Sequence, residues 1–258
     1  MTVAVVLAEP PVAGVPLPGL VDSVLDGNER ARLYRAMLAD ASRALQEGGA
    51  DLLVNYRPSD QVEATGDADP SVGPDGDVDS EREVREALRD LIPRPEEARY
   101  EVQVGTTLAG RVGNTVSHLL DQEGADSVAV VDPRAPFFDR AAVGQATMKL
   151  RSADLVLGPA PGGRVYYIGF TDTVDFDDAL ASPAVETLTD RAVDAGLEVD
   201  FLPVQPVVEQ PADLVDLVAG LRARRRAERR LPAATAAVVD ELDLRVTGKG
   251  VVATSDNS

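Results

Sequence analysis

SADLVLGPAPGGRVYYIGF, residues 152–170, carries two apolar runs joined by a corner of proline and glycine. The first run, ADLVLG, and the second, RVYYIGF, are each long enough for a buried strand, and β-branched and aromatic residues dominate them. A parallel crossover needs a dozen or more residues, usually a helix, and none fits into so short a corner, so these strands are not parallel neighbours. The corner is stiff and bare of side chains, and that raises the question of what it holds.

Upstream, strand and helix patterns alternate. Val3–Leu7 is a continuous apolar run ending in AEPPVAGVPLPG, as a buried parallel strand delivering its C-terminal end into a loop would read. NERARLYRAMLADASRAL, residues 28–45, places Leu33, Met37, Leu38, Ala41 and Leu45 on one stripe, with Asn28 as the expected cap. ADLLVNY is the second strand. SEREVREALRDLI opens with Ser80 and Glu83 at capping-box spacing. RYEVQVG, a helix over residues 108–122, DSVAVVD and a helix over residues 139–150 complete the approach to the corner. Downstream come a helix in PAVETLTDRAVDAGL, a strand in EVDFLPV, and a helix in PADLVDLVAGLRARRRAERRL whose Pro211 suits a first turn. Such alternation predicts an α/β fold: one domain with a mostly parallel central sheet and helices on both faces, spanning residues 1–245. Residues 59–79 read as an exposed acidic loop, and residues 246–258 as a flexible tail.

Forty-four Asp and Glu face 25 Lys and Arg, a net charge of −19, while 44% of residues stay hydrophobic. This is a foldable chain with an acidic skin. Lys149 and Lys249 are the only lysines. The pattern resembles proteins of salt-loving archaea, in which molar KCl screens self-repulsion over about 3 Å. The same field opposes nucleic acids and anionic membranes as partners. With no cysteine and one histidine, His118, there is no thiolate chemistry and no multi-histidine metal cluster. The N-terminus has no basic segment, and its apolar run is too short for a signal or membrane helix, so the expected location is cytoplasmic.

Ligands of parallel α/β sheets sit at the C-terminal ends of the strands. Asp132, directly after a buried strand in VAVVDPRAP, is placed either to hold a divalent cation on a phosphate or to cap a turn. Glu209, in VVEQPADL, has the same kind of position, and two such carboxylates make a better Mg²⁺ or Mn²⁺ site than one. Arg111 stands near a helix N-terminus, where it can clamp a phosphate or pair with the acidic surface. His118 reads as a half-buried side chain rather than a base, and of Tyr166 and Tyr167 one is expected in the core and the other at a pocket wall or in solvent. The run RARRRAERR, residues 222–230, is read as a solvated face neutralising nearby acids, with a docking surface for an acidic partner as the alternative.

Taken together, these segments resemble the GT-A fold nucleotide-diphospho-sugar transferases, in particular a branch related to the molybdenum-cofactor and 2-phospholactate guanylyltransferases. VLGPAPGGRVYYIGF is similar to that branch over its full length, with Gly158, Pro159, Gly162 and Gly163 in matching positions. Asp132 resembles the metal-binding aspartate at a strand end, and Glu209 stands where the branch carries a second metal aspartate. The resemblance implies a Rossmann-like GT-A domain, a nucleotide or nucleotide-sugar donor, a small-molecule acceptor, Mg²⁺ or Mn²⁺ as cofactor, and either glycosyl or nucleotidyl transfer. It implies that the glycine corner lets backbone amides approach the donor or acceptor, and it leaves the catalytic residue unassigned. One departure supports an alternative. The first loop, PPVAGVPLPGLVDSVLD, lacks the basic residues that grip phosphates in that branch, as would be expected of a non-catalytic binding or assembly subunit.

Overall fold

In the computed structural model, which describes residues 2–63, 78–248 and 250–253, a seven-stranded sheet forms the centre of the chain. In chain order the elements are β1 (Thr2–Ala8), α1 (Gly27–Glu47), β2 (Asp51–Tyr56), α2 (Ser80–Leu88), β3 (Arg99–Val102), α3 (Leu108–Ser117), β4 (Ser127–Val131) and α4 (Arg140–Lys149). The corner strands β5 (Leu155–Ala160) and β6 (Arg164–Phe170) follow, then α5 (Ala184–Asp194), β7 (Val199–Phe201), α6 (Asp213–Arg226), α7 (Ala233–Glu241), β8 (Leu244–Thr247) and β9 (Gly250–Ala253).

The strand order is β3-β2-β1-β4-β6-β5-β7. β6 alone runs against its neighbours, antiparallel to both β4 and β5, as the short corner requires. β1 pairs in parallel with both β2 and β4. The chain therefore leaves β1 in one direction toward β2 and β3 and returns on its other side at β4. That reversal opens a crevice beyond the carboxyl ends of β1 and β4.

Burial on both faces explains the unbroken apolar strands. Ala4, Val6 and Ala8 pack with α1, α2, α4, α6 and α7, while Val3 and Val5 pack with α3 and α5. Each fully buried valine of β1 contributes about 1.5–3 kcal/mol relative to exposure. A buried amide–hydroxyl network seats α3: Asn55 donates to the Glu101 carbonyl at 3.1 Å and accepts from the Thr115 hydroxyl at 3.1 Å. Among the described residues no helix is long and apolar enough to cross a membrane.

Several local readings shift. α1 is capped by Asp26 rather than Asn28; Asp26 and Glu29 exchange the two hydrogen bonds of a capping box. Asp79, not Ser80, caps α2, and Ser80 is buried as its first residue. Pro211 lies before the first turn of α6. β8 and β9 pair as a hairpin that runs into the segment read as a flexible tail. Most of the expected acidic loop, residues 64–77, lies outside the described residues, as do residues 254–258.

The tyrosines depart from simple alternation. Tyr166 and Tyr167 are both buried, at 1% and 2% exposure, and both rings pack against Phe138. The cause is an irregularity in the β5–β6 ladder: Gly158 faces Tyr167 while Pro159 faces Val165, leaving Tyr166 as an extra residue. A bulge of this kind re-aims the side chain it carries.

Candidate functional site

The crevice at the strand reversal holds a cavity of about 530 Å³, lined by residues from nearly every segment singled out in the sequence. Leu7 and Glu9 come from the end of β1, Asp132 and Arg134 from the end of β4, Arg111 from α3, Arg164 and Tyr166 from β6, and Glu209 from the loop before α6. The β6 bulge sets the floor, because the Asp132 N–H donates to the Tyr166 carbonyl at 2.9 Å. Tyr166 itself is anchored by its hydroxyl, which donates to the Pro203 carbonyl at 2.9 Å. Burial raises the Tyr166 phenol to about 12, so it stays protonated at neutral pH.

Asp132 and Glu209 both line the cavity, and a guanidinium stands between them. The Arg134 N–H donates to Asp132 Oδ1 at 2.8 Å, closing a tight turn over Pro133. Its side chain then returns to the same carboxylate, with Nε 3.0 and 3.1 Å from the two oxygens and Nη2 2.7 Å from Oδ2. Nη1 meets Glu209 Oε1 at 3.2 Å. The Arg134 carbonyl accepts from the Val208 N–H at 2.8 Å, which holds the Glu209 segment against the β4 loop. Burial would weaken the charged form of Arg134, but Asp132 and then Glu209 outweigh it and hold the group firmly protonated.

Glu209 is shared. Its Oε2 lies 2.9 Å from Arg164 Nη1, and Arg164 also pairs with Asp213 at 3.2 Å. Asp213 in turn accepts from the backbone N–H groups of Glu209 and Gln210, at 2.9 and 2.8 Å, at the head of α6. Burial works against the Asp213 carboxylate, but Arg164 and these two amides overcome it and lower its pKa.

Mg²⁺ or Mn²⁺ can be tested against this donor set. The outer oxygens of Asp132 and Glu209 are engaged by Arg134 and Arg164, and among the described residues no group of three or more His, Asp or Glu side chains converges as a metal shell. The residues as arranged do not fit a divalent ion; one could enter only by displacing Arg134.

Arg111 is different from the other arginines of the cavity. It is 7% exposed, its Nε is buried without a hydrogen-bond partner, and no carboxylate lies within ion-pair distance among the described residues. Burial, followed by repulsion from Arg57, lowers its pKa, and only Glu9 opposes the shift. Arg57 is itself held by Glu9, with Nη1 3.2 and 3.4 Å from the two carboxylate oxygens. Arg111 thus stands on the cavity wall as a largely buried cation with no carboxylate partner among the described residues.

The glycine corner does not reach the cavity through its glycines. Gly158, Pro159, Gly162 and Gly163 are absent from the lining, to which the corner contributes Arg164 and Val165. Gly162 and Gly163 take φ of 76° and 74°, which the turn demands. Gly158 is a packing glycine: a Cβ there would lie 2.6 Å from the Tyr166 ring. His118 is exposed and faces Glu123 at 3.4 Å, away from the cavity. The arginine run is spent on structure: Arg225 pairs with Asp240 at 2.6 Å, Arg230 pairs with Glu47, and Arg224 lies 4.5 Å over the Phe137 ring.

Sequence reading missed Arg57, Arg134 and Glu9 as site residues. Each follows a strand end by one to three positions, and that shared placement was the available signal.

A family model described as "Uncharacterized protein conserved in bacteria (DUF2064)" matches residues 42–187, more than half of the chain. The match runs from α1 to α5 and takes in Arg57, Arg111, Asp132, Arg134 and Arg164. No curated protein matches. Among solved structures, one from Desulfovibrio desulfuricans G20, assigned as a nucleotide-diphospho-sugar transferase, superposes with a TM-score of 0.73 at 24% identity, covering 94% of this chain and 95% of that one. The 4-diphosphocytidyl-2C-methyl-D-erythritol synthase of Anaerococcus prevotii DSM 20548 superposes with a TM-score of 0.50 at 12% identity, covering 86% and 98%. The fold is that of the nucleotide-diphospho-sugar transferases, as the resemblance implied.

Proposed function

The chain belongs to the DUF2064 family, and from its site we propose that it binds a nucleoside triphosphate or nucleotide-sugar in the crevice between β1 and β4 and transfers a nucleotidyl or glycosyl group from it to a small-molecule acceptor. The observation that carries this reading is the buried Arg111, without a carboxylate partner among the described residues, on the wall of a cavity of about 530 Å³. A volume of that size suits a nucleotide-sized ligand, and the position is the one at which such sheets bind ligands.

The bare first loop had favoured a non-catalytic subunit. The arginines of the cavity weaken that alternative, because Arg57, Arg111, Arg134 and Arg164 line the same space from the loop after β2, from α3, from the loop after β4 and from β6. Guanidinium groups suit phosphate because their forked donors match its oxygens and they cannot lose their charge at neutral pH. In this reading Arg111 binds the phosphate chain, Arg57 is oriented for the same task by Glu9, and charge developing on the leaving phosphate meets donors already fixed in place. With a nucleotidyl donor the leaving group is pyrophosphate; with a nucleotide-sugar it is a nucleoside diphosphate.

A thermal-denaturation screen in about 2 M KCl, where the acidic surface is screened, tests this. A nucleotide at 100 times its dissociation constant adds about 2.7 kcal/mol. At least one nucleotide or nucleotide-sugar is expected to raise the midpoint, and Arg111→Met is expected to remove the shift. No shift across the four common bases, as triphosphates and as sugar diphosphates, would refute the reading in favour of the non-catalytic subunit.

A further inference from the structure

We infer that Arg134 occupies the place of a divalent cation in this site, so that the phosphate chain is bound by guanidinium groups alone and neither binding nor retention of the ligand depends on metal. This rests on the nucleotide reading above and deepens it.

The geometry leaves little room for the alternative. Arg134 is two residues from Asp132, and the turn between them is closed by the Arg134 N–H on Oδ1 at 2.8 Å. The guanidinium is therefore tethered beside its carboxylate, whereas a dissolved ion must be captured from solution. Its contacts are those of a cation bridging two acids: two nitrogens on Asp132, with Nη2 at 2.7 Å, and the third on Glu209 at 3.2 Å. Arg164 closes the far side of Glu209 at 2.9 Å. An arginine does not deprotonate in proteins, so raising the pH does not free the two carboxylates for a metal.

The occupied guanidinium still has capacity for a ligand. Arginine offers five N–H donors. Nε and Nη2 each donate one N–H to Asp132 and Nη1 is in ion-pair contact with Glu209, which leaves three N–H donors on Nη1 and Nη2. Its side chain is 30% exposed and lines the cavity, so these are open to a phosphate oxygen. Pairing points the same way. Arg57, Arg134 and Arg164 are each held by a carboxylate, whereas Arg111 has none at ion-pair distance among the described residues. A phosphate that joins Arg111 and Arg134 gives Arg111 an anionic partner and is itself met by two guanidinium groups.

Two measurements on the full chain in molar KCl decide this. The first follows uptake of Mn²⁺, with no nucleotide present, through the electron paramagnetic resonance signal of the free ion. The wild-type protein is expected to leave that signal undiminished at millimolar protein. Arg134→Gln is expected to take up one ion per chain, and adding Asp132→Asn to abolish the uptake. The second measures inorganic pyrophosphate by calorimetry in EDTA and in Mn²⁺. Wild-type affinity is expected to agree within twofold between the two conditions, and Arg134→Gln to lose at least tenfold in EDTA and recover in Mn²⁺. Wild-type Mn²⁺ uptake that disappears in Asp132→Asn, or wild-type pyrophosphate binding only with Mn²⁺, overturns the inference and leaves the nucleotide reading standing. Pyrophosphate bound in neither condition overturns both. The wild-type arms of both measurements need no variant, so a misfolded substitution cannot blur the result.

Discussion

Arg111→Met should make the ligand-free protein more stable while removing its affinity for phosphate. The side chain is 7% exposed and its buried Nε has no hydrogen-bond partner. A buried donor left unsatisfied costs about 1–3 kcal/mol, and more when it is charged. Burial and the nearby Arg57 both disfavour the charged form, and the depressed pKa of Arg111 expresses that cost. Methionine keeps an unbranched stem but carries no donor, so the penalty disappears and only the weaker attraction to Glu9 is lost. The expected gain is about 1–3 kcal/mol, which at 2–4 °C per kcal/mol raises the unfolding midpoint by roughly 2–12 °C. The assay is thermal unfolding by circular dichroism in about 2 M KCl without ligand, paired with calorimetric titration of pyrophosphate. Stabilisation together with lost binding is the pattern of a residue kept for function at the expense of stability. A fall in the midpoint with pyrophosphate affinity unchanged would refute the reasoning, because Arg111 would then be a structural cation with a partner in solution.

Gly158→Ala should cost about 1–3 kcal/mol, because the new methyl would lie 2.6 Å from the Tyr166 ring and 2.8 Å from Tyr167 Cβ. If the glycine served only close ligand approach, unfolding would be unchanged and pyrophosphate affinity alone would fall. Asp40→Ala should destabilise by about 2–4 kcal/mol, since the buried carboxylate accepts from the Ala234 and Thr235 amides at 3.1 and 2.8 Å and from the Thr235 hydroxyl at 2.8 Å. Hydrogen exchange should show protection lost first in α7, and an unaltered exchange pattern would remove Asp40 from that role. Asp213 has a folded pKa below its ordinary 3.8, so its contribution is complete above that value and is lost as pH falls through the lower, folded pKa. Wild-type midpoints measured from pH 5 down to 2 should drop more steeply than those of Asp213→Asn, and parallel curves would contradict the assignment.

The strand–helix alternation, the antiparallel β6 and the crevice at the strand ends were legible because each follows from patterns many residues long or from a loop too short for a crossover. Caps were less so. Asp26 and Asn28 are both competent to cap α1, and the choice falls to where the chain enters the helix, a tertiary matter. The same holds for Asp79 and Ser80. The bulge that turns Tyr166 and Tyr167 against one ring is invisible in a period-two pattern, since an inserted residue leaves the hydrophobicity unchanged. α7 and β8 are short and carry no long pattern of their own, and the arginine run before them pairs with Asp240 and Glu47 on neighbouring helices. Asp132 was legible as a strand-end carboxylate, whereas Glu209 lies in the loop before α6, well beyond the end of β7, and composition cannot reveal that the two share Arg134 as counterion.

The surplus of acid and the cluster of arginines are parts of one electrostatic problem. At −19, the chain presents a field that repels any nucleotide, most strongly in dilute buffer, where the Debye length is about 30 Å at 0.01 M and the whole surface acts on the approaching anion. At molar salt that reach shrinks to about 3 Å, so only groups in contact with the ligand matter. A site built for the first condition would need a large basic surface. A site built for the second needs a few cations within touching distance, held in place by their own acids so that they do not collapse onto the negative skin. Glu9 on Arg57, Asp132 and Glu209 on Arg134, and Asp213 on Arg164 are placed to do that. Pyrophosphate affinity should therefore rise, or at least hold, between about 0.2 and 2 M KCl, against the steep fall that counterion release gives an exposed basic surface. An affinity that declines more than tenfold over that range would mean that the cations act at long range, and that the paired acids only dilute them.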